Sequence, residues 1–299
     1  MERDRLSSST CFQRLSNLSL TGGDNKMPLP ATGPSIRNAD PAHHALHYAA
    51  RYDSMRLETY RHKEDLGDRI GISHIGSALA LRFDDVEYFN RVYCTDFSFQ
   101  ENLSEIEDFY RGGPFGFELV GPPSVASAAR IISRSGSSPG KHYAWLGHPD
   151  CGSLSVPQTT QFDIRSPEPS ERLEFLLAYL RAFEAQEDRI PSALRNMQHL
   201  FDRPELTFLM AREGEHLAGI AMSMRCDNRA LLCAGAVLPE FRSMGCHAAL
   251  LAARIRLAAE AGCAEIYSWT SAGSQSQANM EKAGLVVLGT TTSWRFSPE

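Results

Sequence analysis

Gly235-Ala-Val-Leu-Pro-Glu-Phe-Arg-Ser-Met-Gly-Cys-His-Ala-Ala-Leu-Leu251 decides how this chain folds. Its first residues complete an apolar run of strand character, Leu231–Leu238, which Pro239 ends. A short polar loop carrying Arg242 and Gly245 follows. From Gly245 to Ala261 the chain is rich in Ala and Leu and predicts a helix, with Gly262 as its stop. Strand, tight loop and helix start bring backbone N–H groups and the positive end of the helix dipole to one corner. That arrangement holds an anion, most often a phosphate.

The flanking residues supply a sheet for this corner. Leu206–Ala211 and Leu217–Met224 read as strands joined at Arg212–His216, where Gly214 permits a tight turn. Asp227-Asn228 turns the chain into Ala230–Leu238. Upstream, Thr160–Arg165 reads as a strand, and Glu171–Gln186 as a helix with an apolar stripe of Leu173, Leu176, Leu177, Leu180 and Phe183. Pro191 opens a shorter helix ending near Leu200. Downstream come a strand at Glu265–Thr270, a short helix at Ser274–Ala283 and a last strand or strand pair at Gly284–Phe296. The order is three antiparallel strands, a crossover helix and a parallel partner.

The preceding half is expected to be separate. Residues 1–54 carry turn and breaker residues (Ser7–Ser9, Gly22–Asn25, Pro28–Pro41) and little periodicity, and are read as a disordered extension. Residues 55–152 predict a small α/β domain. Its strands are Ala78–Leu81, Asn90–Tyr93, Phe115–Val120 and His142–Leu146, and its helices Leu103–Tyr110 and Ser124–Ser133. Gly121-Pro122-Pro123 places prolines where a phosphate cradle needs N–H donors, so this half has no anion corner of its own. Residues 147–157, rich in Gly, Pro and Ser, read as a linker to a second domain at 153–299.

Composition excludes several classes. A net charge of -6 without a Lys/Arg-rich run argues against a nucleic-acid partner and slightly favours a cationic acceptor. The 7 Cys form no CxxC pair or zinc-type spacing, so no metal is expected and reduced thiols are. No apolar run approaches the roughly 18–20 residues of a membrane span. With no leader-like N-terminus, the reading is a cytoplasmic protein without a membrane partner.

Several features together resemble the GNAT superfamily of N-acetyltransferases, over about residues 158–299. They are Val237-x-Pro239, Arg242-x-x-Gly245, Ala261-Gly-Cys263 followed by Ile266-Tyr-Ser-Trp-Thr270, Ser276-x-x-Asn279 and Lys282-Ala-Gly-Leu285. The chain also resembles the tandem GNAT type, whose N-terminal copy is degenerate. The implied fold is a mixed α/β sheet, the GNAT-like acyl-CoA N-acyltransferase fold, in two tandem domains. The implied co-substrate is acetyl-CoA. Its pyrophosphate would lie against the loop and helix start at Arg242, Ser243, Met244, Gly245, Cys246, His247 and Ala248, and its pantetheine along Ala236, Val237 and Leu238. The main-chain N–H of Val237 or Leu238 would polarise the thioester carbonyl for direct attack by an amine of a small molecule or protein. Asn279 would stand near the adenine or pantetheine end.

Two positions depart from the family pattern. His247 stands where a small residue is expected, and is read as exposed. Met280 occupies the position, four residues before Gly284, where the family commonly has a Tyr acid, and a thioether donates no proton. Glu240 and His216 are acid/base types on nearby loops, but spacing selects neither, so no catalytic residue is assigned. Met280 and His247 motivate the alternative, a catalytically inactive acyl-CoA-binding or scaffold protein.

Overall fold

The computed structural model describes residues 41–61, 66–94, 97–121, 137–156 and 160–297. Its strands are β1 (Ile70–Ile75), β2 (Ala78–Phe83), β3 (Arg91–Tyr93), β4 (Phe117–Val120), β5 (Ser138–His148), β6 (Asp163–Arg165), β7 (Leu206–Glu213), β8 (His216–Cys226), β9 (Arg229–Val237), β10 (Glu265–Ser271) and β11 (Val286–Phe296). The α-helices are α1 (Pro41–Arg61), α2 (Leu103–Tyr110), α3 (Arg172–Ala182), α4 (Ile190–Met197), α5 (Cys246–Glu260) and α6 (Gln275–Lys282). The strands form one sheet in the order β1-β2-β3-β4-β11-β5-β10-β9-β8-β7-β6. Pairs β3–β4 and β9–β10 are parallel, and the remaining neighbours are antiparallel. The expected mixed sheet and the meander around the loop at Pro239–Gly245 are both present. The expected helix at Ser124–Ser133, the Gly121-Pro122-Pro123 turn beyond its first residue and residues 1–40 lie outside the described residues.

The boundary expected at 152/153 does not coincide with a break in the sheet. β5, from before it, lies between β10 and β11, with Trp145 opposite Trp269 on one side and Gly289 on the other. Its residues Tyr143–Gly147 are buried on both parities, as a central strand requires. The described part of the expected linker, residues 147–156, packs against the fold. Cys151 is 1% exposed among Leu251, Ile255 and Met280, and its N–H donates to the Ala264 carbonyl (2.7 Å).

The extension expected through residue 54 also needs correction, because α1 begins at Pro41 and crosses the sheet. Tyr48 stacks on Tyr267 of β10 at 5.7 Å, while Tyr60 packs on Phe83 and Phe89 at 6.4 and 6.0 Å. The helix is polar in composition, so periodicity misses it. Its polar groups are paired internally instead. Asp53, 0% exposed, accepts from the Tyr93 hydroxyl (2.7 Å) and lies 3.5 Å from Arg56 and 3.9 Å from Arg91. Arg91 in turn donates to Tyr143 (3.1 Å) and pairs with Glu118 (3.1 Å). Charges buried in this way are tolerated only because each has partners.

α1, α3 and α4 cover one face of the sheet, and α2, α5 and α6 the other. Residues 153–299 produced alone lack β5 and leave facing edges of β10 and β11 unpaired. This fragment is expected to show no cooperative thermal transition by circular dichroism, and to gain one on co-expression with residues 41–152. A cooperative melt of the fragment alone contradicts this interlock.

Candidate active site

The site begins where two strands stop pairing. β9 and β10 are in register from Arg229/Glu265 to Leu232/Ser268, and no further. Immediately beyond, the register of β8 with β9 shifts between Met222 and Ser223, which leaves Cys233 as an extra residue in β9. Such a bulge bends and twists the strand that carries it. β10 meanwhile runs on to Ser271 against β5, so β9 and β10 part with their C-terminal ends open.

The register decides which backbone groups face this opening. The Leu238 N–H donates to the Ala218 carbonyl (2.9 Å), which makes Ala218/Leu238 a hydrogen-bonded pair. Antiparallel pairs alternate, so Gly219/Val237 is a non-bonded pair, and the N–H and C=O of Val237 and Gly235 point away from β8 toward the open side. Of the two amides expected there, Val237 is available and Leu238 is occupied. Ala236, between Gly235 and Val237, faces Ile220 of β8.

The loop after β9 turns sharply. Pro239–Phe241 forms a short turn, then Ser243 and Gly245 take left-handed φ values of 65° and 83°. Gly245 is the residue before the first turn of α5, and a Cβ placed on it meets nothing within 4 Å, so the space above it is open. The first backbone bond at this end runs from the Ala249 N–H to the Gly245 carbonyl (3.0 Å). Among the described residues, the N–H groups of Ser243 through Ala248 take no backbone carbonyl. Arg242, Ser243, Met244, Gly245 and Ala248 are exposed around them. A helix start with free donors, an adjacent Arg and open space is chemically suited to a pyrophosphate.

What sets this helix start beside β9 is Cys246, 1% exposed, against Gly219 of β8. A Cβ on Gly219 would fall 3.0 Å from the Cys246 sulfur and 2.8 Å from the Ala236 carbonyl. Glycine there permits the close approach of helix to strand end.

His247 is half-buried rather than exposed as expected. Asn279 Nδ2 donates to its Nδ1 (3.2 Å), which puts the ring proton on Nε2, 3.5 Å from Ser276 Oγ. The histidine therefore ties α5 to α6, and Asn279 holds it. Burial, and then the charge of Arg254, lower its pKa to about 4, so the ring is neutral at physiological pH. Met280 is 5% exposed in the core with Leu232, Leu251 and Ile255, and supplies no acid. Glu240 and His216 stand on the surface.

Sequence reading missed two side chains. Ser268, 0% exposed, donates from its hydroxyl to the Leu232 carbonyl (3.0 Å) at the last paired position. Arg254, 2% exposed, reaches from α5 to the bulge. An Arg among Ala and Leu was the available signal for the second.

The buried, neutral His247 makes stability depend on pH. Its folded pKa of about 4 lies below the ordinary 6.5, so between these values the unfolded chain binds more protons and stability falls as pH drops. Melting temperatures of the wild type are expected to fall more between pH 6.5 and 4 than those of His247→Gln. Equal falls contradict a buried neutral His247.

Known proteins agree with this geometry. Residues 172–284 match the family model described as Acetyltransferase (GNAT) family. No curated protein matches the chain. Among solved structures, a GCN5-related N-acetyltransferase from Kribbella flavida is similar at 16% identity and a TM-score of 0.60, over 83% of this chain and 95% of that one. One from Sphaerobacter thermophilus has 16% identity, a TM-score of 0.54 and 76% of each chain covered. A tandem GNAT protein from the clavulanic acid biosynthesis pathway is similar at 11% identity and a TM-score of 0.56, over 88% and 97%. At these identities the likeness is one of fold. The family match and the parted strands fall on the same residues, so it is over residues 172–284 that the chain is similar to the acetyltransferases of the GNAT family.

Proposed function

We propose that this protein is an acetyl-CoA-dependent N-acetyltransferase acting in the cytoplasm on an amine of a small molecule or protein. One observation carries the reading. The backbone of Gly235 and Val237 that faces away from β8 lies directly before a loop and helix start whose N–H groups, from Ser243 to Ala248, take no backbone carbonyl among the described residues. Unmet backbone donors in such a row call for a ligand that supplies acceptors along its length. Acetyl-CoA supplies a pyrophosphate, pantetheine amides and an activated acetyl group.

In this reading the first-turn amides and the exposed Arg242 hold the pyrophosphate, and the free edge of β9 aligns the pantetheine. The Val237 N–H donates to the thioester carbonyl, where negative charge develops during attack by the neutral amine. Leu238 contributes through its apolar side chain and not its amide. Residues 55–152 are read as a degenerate GNAT copy that lends β5 to the active half. Met280, buried and without a proton to give, favours a second reading in which acyl-CoA binds without turnover.

Calorimetric titration of acetyl-CoA, followed by thiol release over a panel of amines, separates the two. Binding with release supports the transferase, binding without release on any amine supports the second reading, and no binding contradicts both. Gly245→Val is expected to weaken acetyl-CoA binding far more than it lowers the melting temperature, since it strains φ and fills the open space. Arg242→Ala is expected to cost about 1–2 kcal/mol of binding, one charge-assisted contact. Unchanged affinity with reduced stability in Gly245→Val contradicts the cradle.

A further inference from the structure

Arg254 is among the largest side chains fully enclosed by this fold, and it has no carboxylate partner among the described residues. Its Nε donates one turn back along α5 to the Leu250 carbonyl (3.3 Å). Nη1 donates to the carbonyls of Ala234 (2.9 Å) and Met222 (3.3 Å). Those carbonyls belong to the pair just past the register shift at Cys233, where β9 turns away from β10. Nη2 is buried and has no hydrogen-bond partner among the described residues. It rests over Gly235, where a Cβ would come within 3.1 Å of it. The strand thus leaves a notch for a donor at the first residue whose backbone faces the opening.

A structural role alone accounts poorly for this residue. Leu or Met would fill the space between helix and sheet without the desolvation that lowers the guanidinium pKa to about 10. A buried donor left unmet is costly unless something meets it. The acceptor must reach Gly235 from the open side of β9, and the proposed ligand carries amide carbonyls along that line.

We infer that Arg254 positions the pantetheine arm of the acyl-CoA: Nη1 pins the bulge that holds β9 away from β10, and Nη2 donates to a pantetheine carbonyl beside Gly235. This rests on the acetyl-CoA reading above. It is separable from the pyrophosphate cradle, which Arg254 does not touch.

The test compares CoA with its nucleotide half, 3′-phosphoadenosine diphosphate, by calorimetry on the full chain, with melting temperatures recorded for each variant. Arg254→Met is expected to weaken CoA about tenfold or more while the nucleotide stays within about twofold, the scale of one lost charged hydrogen bond. Arg254→Lys, which keeps a shorter donor, is expected to fall between. Gly235→Ala fills the notch, is expected to mimic Arg254→Met, and carries the test if that variant does not fold. Equal losses for both ligands, or a folded variant with unchanged CoA affinity, overturn the inference. Wild type that binds neither ligand overturns the proposed function with it. Wild type that binds both, beside variants that do too, overturns this inference alone.

Discussion

The proposed site depends on a ladder that stops early. β9 and β10 share a register only from Arg229/Glu265 to Leu232/Ser268. A parallel pair that continued to Val237 would consume the backbone groups of β9 that now face outward. The stop is built from several sides. Ser268 donates to the Leu232 carbonyl at the last paired position, the Cys233 bulge bends β9, and Arg254 holds the carbonyls beside it. β5 meanwhile keeps β10 straight through Ser271, so it is β9 that departs. Backbone groups left open in this way each forgo about 1 kcal/mol of net hydrogen bonding. That loss is a reason for a ligand to bind.

The rest of the molecule makes the opening rigid. Gly219 lets Cys246 approach the end of β9, which sets the first turn of α5 next to Val237. His247 and Asn279 join α5 to α6, so the loop and both helices form a single frame around the open space above Gly245. On the opposite face α1 stacks on β10 through Tyr48 and reaches β2 through Tyr60. Its buried Asp53, Arg56 and the neighbouring Arg91 bind the sheet together with charge where an ordinary core would use apolar contacts. Together with β5, this helix makes the upstream residues part of the scaffold around β9 and β10.

Sequence reading served best where chemistry is local. The strand, proline, loop and helix from Leu231 to Ala261 were legible because their signals are carried by consecutive residues, and α2 was legible to its ends. Three features were not, each for a physical reason. α1 hides its burial behind polar residues that find partners far away in sequence, such as Tyr93 for Asp53, 40 positions apart. The placement of β5 between β10 and β11 is a long-range pairing, and nothing in Tyr143-Ala-Trp-Leu-Gly147 names its neighbours. The choice between Val237 and Leu238 turns on a one-residue parity that only the register reveals. His247 was misread as exposed because Asn279 and Ser276, which cover it, belong to another helix.

The most direct test of the account is amide chemical-shift mapping by NMR as acetyl-CoA is added to the full chain. The account predicts the largest changes at the backbone amides of Val237 and of Ser243 through Ala248, with Leu238, already bonded to Ala218, shifting less. Shifts centred on another part of the sheet, or a Leu238 amide that responds more than Val237, would contradict it.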